Sequence, residues 1–211
     1  MKPIPHAVLA LCLATSLPAL AQQAERAFIG FRNDNGTLEI ATSDGRYLIR
    51  PYDANIVETS FVPRGETFDP ASHAVVLAPG QARATVKEES GRIQLVTDGI
   101  TVTVDRMPFR ISYAYKGGPL VAEKGGYGRA GGLDTIEFAL DNDEALYGAG
   151  ARAAGMNRRG KRFRLYNKAS YGFGDHAEQM GYGIPMATRR APMNRAGTRS
   201  CASRAAWPTA A

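Results

Sequence analysis

Short segments of alternating apolar and polar residues, separated by turn-forming residues, recur throughout positions 27–167. The clearest pair is Arg92–Val96 and Ile100–Arg106, with Asp98 and Gly99 between them. Because side chains alternate between the two faces of a β-strand, Ile100, Val102 and Val104 are predicted to share one buried face. The short spacing and the Asp-Gly turn predict that these two segments form a hairpin.

The same pattern continues on both sides of this hairpin. Asn35-Gly36 is a strong signal for a tight turn, because both residue types tolerate positive φ. Further strands are predicted over 54–62, closed by Pro63, and over 133–140, and the sequence Phe109-Arg110-Ile111 begins another with a period of two. No window shows a helical apolar stripe. The chain is therefore predicted to be all-β, an antiparallel β-sandwich in which two sheets bury one face each.

The first 21 residues have the features of an export signal. Lys2 supplies a positive end, residues 7–17 are apolar, and Ala19-Leu20-Ala21 forms a small-x-small cleavage site. The apolar run is too short to span a membrane. We therefore expect a signal peptide at 1–21 and an exported protein, periplasmic or secreted, with no membrane partner.

The last 25 residues, 187–211, differ in composition from the rest. They contain no Ile, Leu, Val, Phe, Tyr, Asp or Glu, and they carry five arginines. Such a segment lacks the apolar surface needed for a core, so a disordered basic tail is predicted, with a reading-frame error as its expected origin. A genuine basic tail that binds anionic lipid or nucleic acid is the alternative, and steep salt dependence would reveal it.

The excess of basic residues lies outside the predicted sandwich. The chain has 26 Lys and Arg against 20 Asp and Glu, and Lys2 with the five tail arginines accounts for the whole difference. The stretch 22–186 is therefore neutral overall, and the charge gives no indication of a nucleic-acid partner.

Residues 144–186 contain several short motifs in a characteristic order. These are Glu144 with Tyr147-Gly148-Ala149-Gly150, then Asn157-Arg158-Arg159-Gly160-Lys161, Leu165-Tyr166-Asn167 and Ile184-Pro185-Met186. The series resembles the end of the N-terminal β-sandwich domain of glycoside hydrolase family 31, which includes α-glucosidases, α-xylosidases and α-transglucosylases. The resemblance implies a galactose-mutarotase-like sandwich over 22–186, truncated before the catalytic barrel.

The resemblance also implies what the whole enzyme does. Members of this family cleave α-glycosidic bonds with retention, using two carboxylates, and both are aspartates of the barrel. The whole enzyme would act on α-linked oligosaccharides without a cofactor, with the barrel as the missing partner domain. No catalytic residue is assigned here, because Asp141, Asp143 and Glu144 are better explained by a turn than by an acid pair. The chain alone is expected to be inactive.

One loop, at 168–181, is rich in glycine and aromatic residues. By resemblance it reaches over the mouth of the barrel, so Tyr171, Phe173 and Asp175 are the candidate sugar-binding residues. Aromatic faces stack on sugar rings, and a carboxylate accepts hydrogen bonds from hydroxyl groups. A surface loop whose aromatic side chains merely cover the sandwich is the other interpretation, and both remain open.

Three other signals indicate ordinary structure. Gly126-Tyr127-Gly128 begins a GxGxxG pattern, but no helix follows that would make it a dinucleotide site. The basic run 158–164 alternates with Phe163 and is expected to be a strand with one solvated face. His176 near Asp175 and Glu178 is too sparse for a metal site, so none is predicted.

Two points bear on function. Many family members carry an acid directly after the Tyr-Gly-x-Gly run, where this chain has Ala151. A free-standing periplasmic carbohydrate-binding module without catalysis is the alternative function, and measurable binding of maltose or isomaltose by the chain alone would favour it.

Overall fold

The computed structural model of the chain describes residues 26–34, 36–71, 75–80, 82–130, 133–167, 172–175, 177, 180–190 and 200–204. These residues form thirteen strands arranged in three antiparallel sheets. The predicted signal peptide at 1–21 lies outside the described residues. Among the residues described, no helix is long and apolar enough to cross a membrane.

The first sheet is a four-stranded meander in which each strand pairs with the next along the chain. Its strands are β1 (Phe28–Asp34), β2 (Thr37–Thr42), β3 (Gly45–Asp53) and β4 (Ile56–Pro63). Gly36 has a φ of +82°, as the predicted turn between β1 and β2 requires. The predicted strand over 54–62 begins two residues later, because residues 54 and 55 form a turn.

The second sheet has six strands, ordered β10-β9-β8-β7-β6-β5. They are β5 (Thr85–Glu89), β6 (Arg92–Val96), β7 (Ile100–Arg106), β8 (Phe109–Tyr115), β9 (Gly118–Ala130) and β10 (Leu133–Phe138). The predicted hairpin of β6 and β7 has the expected limits. Strand β9 was not predicted, because its glycine-rich second half lacks the period-two pattern.

The core lies between these two sheets. Buried side chains of both form one cluster: Leu38, Ile40, Tyr47, Ile49, Ile93, Leu95, Ile100, Val102, Val104 and Ile111. Each large aliphatic side chain buried in this way stabilises the fold by about 1.5–3 kcal/mol. The predicted shared face of Ile100, Val102 and Val104 is confirmed, as is the antiparallel sandwich.

The two sheets are also joined at one end by a polar contact between turns. Thr97 Oγ1 donates a hydrogen bond of 2.6 Å to the carbonyl oxygen of Ala54, which lies in the turn between β3 and β4. A Cβ on Gly99 would lie 2.7 Å from that same oxygen and 2.1 Å from Asn55 Oδ1. Glycine is therefore required at this position in the β6–β7 turn by the close approach of the opposite turn.

The third sheet contains three strands, β11 (Ala145–Gly148), β12 (Met186–Arg190) and β13 (Ser200–Arg204), with β12 in the centre. Residues 187–190 and 200–204 belong to the segment whose composition predicts a disordered tail. Their backbones pair all the same, because strand pairing uses main-chain groups that every residue except proline provides. Of the tail arginines, Arg189 is buried.

Candidate functional site

The predicted sugar-binding loop belongs to a long connection, 149–185, between β11 and β12. Its two ends lie side by side as a continuation of those strands. The Ala149 amide donates to the Met186 carbonyl at 2.9 Å, and the Ala151 amide donates to the Tyr182 carbonyl at 3.1 Å. Further along, the Met180 amide donates to the carbonyl of Ala151. The connection is thus held at its base.

Close backbone approach at this base depends on two glycines of the Tyr-Gly-x-Gly motif. Gly148 and Gly150 have φ values of +106° and +88°. A Cβ on Gly148 would lie 2.4 Å from the Met186 carbonyl oxygen, and one on Gly150 would lie 2.4 Å from that of Tyr182. The motif therefore allows the outgoing and returning ends of the connection to meet.

Arg152 organises the first half of the connection from inside. Its buried guanidinium donates to the carbonyl oxygens of Ala149 at 2.9 Å and Arg164 at 2.7 Å. It also lies 4.7 Å from the centre of the Phe163 ring, an arrangement typical of a cation–π contact. Arg158 lies 5.7 Å from the same ring. The two cations and Phe163 together hold the chain of 152–164 in place.

The basic run 158–164 is not a strand, so that prediction was wrong. Phe163 lies beside the guanidinium of Arg152 instead of pairing in a sheet, and the Arg158 side chain donates to the Gly148 carbonyl oxygen at 3.2 Å. Lys161, Arg162 and Arg164 are exposed, as expected for a solvated surface. The motif residue Asn167 accepts a hydrogen bond from the Gly183 amide at 2.8 Å, which joins 167 to the returning end.

Two of the three predicted sugar-binding residues are described, and both lie on an exposed turn. Phe173 keeps 46% of its surface accessible, and Asp175 is also exposed. Neither side chain makes a hydrogen bond or a ring contact with another described residue. Tyr171 lies outside the described residues, as do His176 and Glu178. In the described part of the chain, no three potential ligands are close enough together to hold a metal ion.

The acidic group at the start of β11 has a structural role. Residues 142 and 143 form the predicted turn. Glu144 is buried, accepts a hydrogen bond from the Asp141 amide at 3.2 Å, and is bound by the Arg189 guanidinium through two nitrogens. Burial alone would raise the pKa of Glu144, but Arg189 and the Asp141 amide lower it below its ordinary value. It is therefore held ionised by these partners and is no proton donor. Sequence reasoning missed Arg189, because nothing in its basic surroundings indicates a buried partner.

Comparison with known proteins shows the family. The sequence model of the glycosyl hydrolase 31 N-terminal galactose mutarotase-like domain matches residues 46–197, most of the chain. The chain belongs to glycoside hydrolase family 31. The matched range includes most of β3, all of β4, the whole second sheet and the connection 149–185, and it runs past Met186. The expected galactose-mutarotase-like sandwich is thereby confirmed.

Individual proteins with a similar sequence or fold are consistent with this assignment. Alpha-glucosidase 2 of Bacillus thermoamyloliquefaciens is 28% identical over 158 residues, which are 71% of this chain and 20% of that protein. A family 31 dextranase of Flavobacterium johnsoniae, complexed with glucose, superposes with a TM-score of 0.70 at 18% identity, over 80% of this chain and 22% of its own.

The cycloalternan-forming enzyme of Listeria monocytogenes, in complex with a pentasaccharide substrate, has a similar fold. It superposes with a TM-score of 0.63 at 17% identity, over 78% of this chain and 16% of its own. The chain thus covers between 16% and 22% of the length of each of these three proteins.

Proposed function

We propose that this chain is the N-terminal domain of an exported α-glucosidase-like enzyme of family 31, which hydrolyses or transfers α-glycosidic bonds in carbohydrate metabolism. The family match over 46–197 carries the proposal. The chemistry would reside on a catalytic barrel outside this chain, with two aspartates as nucleophile and acid–base. By itself the chain would have no glycosidase activity.

Within the whole enzyme, the connection 149–185 would contribute to the substrate pocket. Its base is fixed by the backbone hydrogen bonds of Ala149 and Ala151, whereas Phe173 and Asp175 are free to contact a ligand or another domain. A rigid base with an exposed tip is a common arrangement for binding loops. The Glu144 carboxylate is bound by Arg189, which supports a structural role for the acids near β11.

The gene itself provides the first test. Reading all frames beyond the codon for Met186 is expected to reveal a barrel sequence with two aspartates. In the protein that joins this barrel to the sandwich, Phe173→Ala and Asp175→Ala should each raise KM for an α-glucoside several-fold. Met156→Ala is the matched control, because Met156 is an exposed apolar residue of the same connection. Equal kinetics for all variants would contradict the pocket role.

The alternative is a free-standing periplasmic carbohydrate-binding module, which keeps the sandwich but has no barrel in any frame. The exposed Phe173 side chain is the observation that favours it, since exposed aromatic residues are typical of sugar-binding surfaces. Calorimetric titration of the purified chain with maltose and isomaltose tests this function. Binding that is lost in Phe173→Ala would favour the module, and no binding would indicate a surface loop without a sugar site.

A further inference from the structure

A pocket of about 460 Å³ lies beside the sandwich, formed by elements other than the connection 149–185. It is bounded by the residues that lead into β1, by the β7–β8 turn and by the middle of β9. Its lining includes Arg26, Phe28, Pro108, Phe109, Glu123 and Gly126. The volume lies within the range of small-molecule sites in proteins, about 300–1,000 Å³.

Glu123 is the unusual group of this pocket. Only 3% of its surface is accessible, and none of the side-chain hydrogen bonds between described residues ends on its carboxylate. Its carboxylate oxygens are not among the fully buried, unpartnered atoms of the described residues, so they reach the pocket. Burial of a carboxyl disfavours its charged form. Burial raises the pKa of Glu123 to about 7, against the opposing effect of Arg26. The carboxyl therefore has an unused capacity both to accept and to donate hydrogen bonds near neutral pH.

The backbone of β9 is shaped to place this carboxyl. Glu123 pairs with Phe138 and Gly126 pairs with Glu137, so Lys124 and Gly125 form a bulge between them. Bulges redirect neighbouring side chains and are common beside binding sites. Gly126 has a φ of +63°, and a Cβ there would lie 2.7 Å from Glu123 Oε2. A side chain at 126 would displace the carboxyl.

Other polar groups converge on the same place. The virtual Cβ of Gly126 would also lie 3.2 Å from the Tyr47 hydroxyl and 3.3 Å from Arg26 Nη1. Arg26 donates to the Tyr47 hydroxyl at 2.5 Å and to Asp44 at 2.7 Å. Its charge is thus already balanced by Asp44. Convergent polar groups in a pocket, one with a strongly shifted pKa, are typical of ligand sites.

The charges of the lining select the kind of ligand. Four cations line the pocket, Arg26, Arg106, Arg110 and Lys124, and they disfavour a cationic ligand. Asp44 balances the charge of Arg26, and Glu88 balances that of Arg106. A neutral ligand with several hydroxyl groups avoids this penalty and can both accept hydrogen bonds from the cations and donate to Glu123. Its hydroxyls would bond to Glu123 and the nearby donors, while Phe28, Pro108 and Phe109 supply apolar surface for a ring.

We propose that this pocket binds a neutral monosaccharide-sized polyol, with the carboxyl of Glu123 as its principal hydrogen-bonding anchor. The site goes beyond the proposed function, because it requires neither the barrel nor the loop with Phe173. The full chain titrated with D-glucose should show saturable millimolar binding. Glucose should shift the backbone amide NMR signals of residues 106, 107, 109, 110 and 123–126, whereas the cationic D-glucosamine should bind more weakly.

Substitution tests the anchor directly. Glu123→Gln should weaken glucose binding by about tenfold, since it removes a charge-assisted hydrogen bond. Glu137→Gln, at an exposed position on the neighbouring strand β10, is the matched control and should bind as the wild type does. The amide shifts that glucose causes are measured on the wild-type chain alone. They therefore test the location of the site even if a variant fails to fold.

Three results would overturn the proposal. The first is no saturable binding up to about 100 mM glucose, since a Kd of that size corresponds to only about −1.4 kcal/mol. The second is amide shifts confined to residues 172–175, and the third is unchanged glucose affinity in Glu123→Gln. The assay contains no glycosidase step, so its failure would leave the proposed function of the whole enzyme untouched.

Discussion

Glu144 and Arg189 form a buried ion pair that joins the start of β11 to the centre of β12. Arg189 Nη2 lies 2.5 Å from Glu144 Oε2, Nε binds the other carboxylate oxygen, and the two residues expose only 9% and 3% of their surfaces. Because Leu146 is directly opposite Arg189 in the ladder, the pair also fixes the register of the two strands.

Removal of one partner should therefore be costly. Arg189→Ala leaves the Glu144 carboxylate buried, with the Asp141 amide as its remaining hydrogen-bond donor among the described residues, and we expect the free energy of unfolding to fall by about 3–5 kcal/mol. Arg32→Ala breaks the exposed pair with Glu39 and should cost no more than about 1 kcal/mol. Urea unfolding of both variants measures the difference, and equal losses would contradict the structural role of Arg189.

Glu123 makes stability depend on pH in a predictable direction. Its pKa in the folded chain, about 7, lies above the ordinary value of 4.5, so the folded state holds the proton more tightly. The protonated carboxyl's contribution to the free energy of unfolding is complete below about pH 4.5 and is lost as the pH rises through 7. Glu123→Gln should match the wild type at pH 4.5 and exceed its stability by up to about 3 kcal/mol at pH 9.

Urea unfolding of the wild type and of Glu123→Gln between pH 4.5 and pH 9 measures this pH dependence of stability. Glu137→Gln is the control for the loss of one charge. A difference between wild type and Glu123→Gln that is independent of pH would show that the carboxyl is not buried as described.

Gly150 and Gly155 form a matched pair in the same connection. Both have positive φ, +88° and +77°, but a Cβ on Gly150 would meet the Tyr182 carbonyl oxygen, whereas one on Gly155 would meet nothing within 4 Å. Gly155→Ala should cost about 1 kcal/mol of backbone strain. Gly150→Ala should cost about 3 kcal/mol or more, because the ends of the connection must separate. Similar thermal midpoints for the two variants would argue against that close approach.

Arg152 should control the order of residues 149–164. Lysine keeps the charge but lacks the planar fork that reaches the carbonyls of both Ala149 and Arg164, so Arg152→Lys should cost about 2 kcal/mol. Faster amide hydrogen exchange confined to 149–164 is the expected signature. Arg162→Lys, at an exposed position, is the control. Unchanged exchange in Arg152→Lys would remove Arg152 from this role.

The sandwich was predictable because its information is local. The alternation of Ile100, Val102 and Val104 and the turn signal at Asp98-Gly99 specify a strand, a face and a hairpin without any distant contact. Strand β9 was not predictable in this way, because its bulge at Lys124 and Gly125 breaks the period. The bulge is recognisable only through its pairing with β10.

The candidate sites depend on contacts that the sequence pattern does not record. Glu123 is one acid among many in the sequence, and only the sheet brings it next to Gly126 and Arg26. Arg189 lies among small and basic residues, and its burial follows from pairing with β11. The motifs of 144–186 did indicate the family and the connection, whereas the sugar-binding role of Phe173 and Asp175 stays a prediction.

Hydrolysis of p-nitrophenyl α-D-glucopyranoside by the purified chain tests the central claim, that this family 31 sandwich has no glycosidase chemistry of its own. We expect no release of p-nitrophenol above the buffer rate, with intact folding verified by a cooperative unfolding transition. Turnover that purifies with the chain and disappears in Asp175→Asn or Asp143→Asn would contradict the account, because the catalytic acids would then lie in the chain itself.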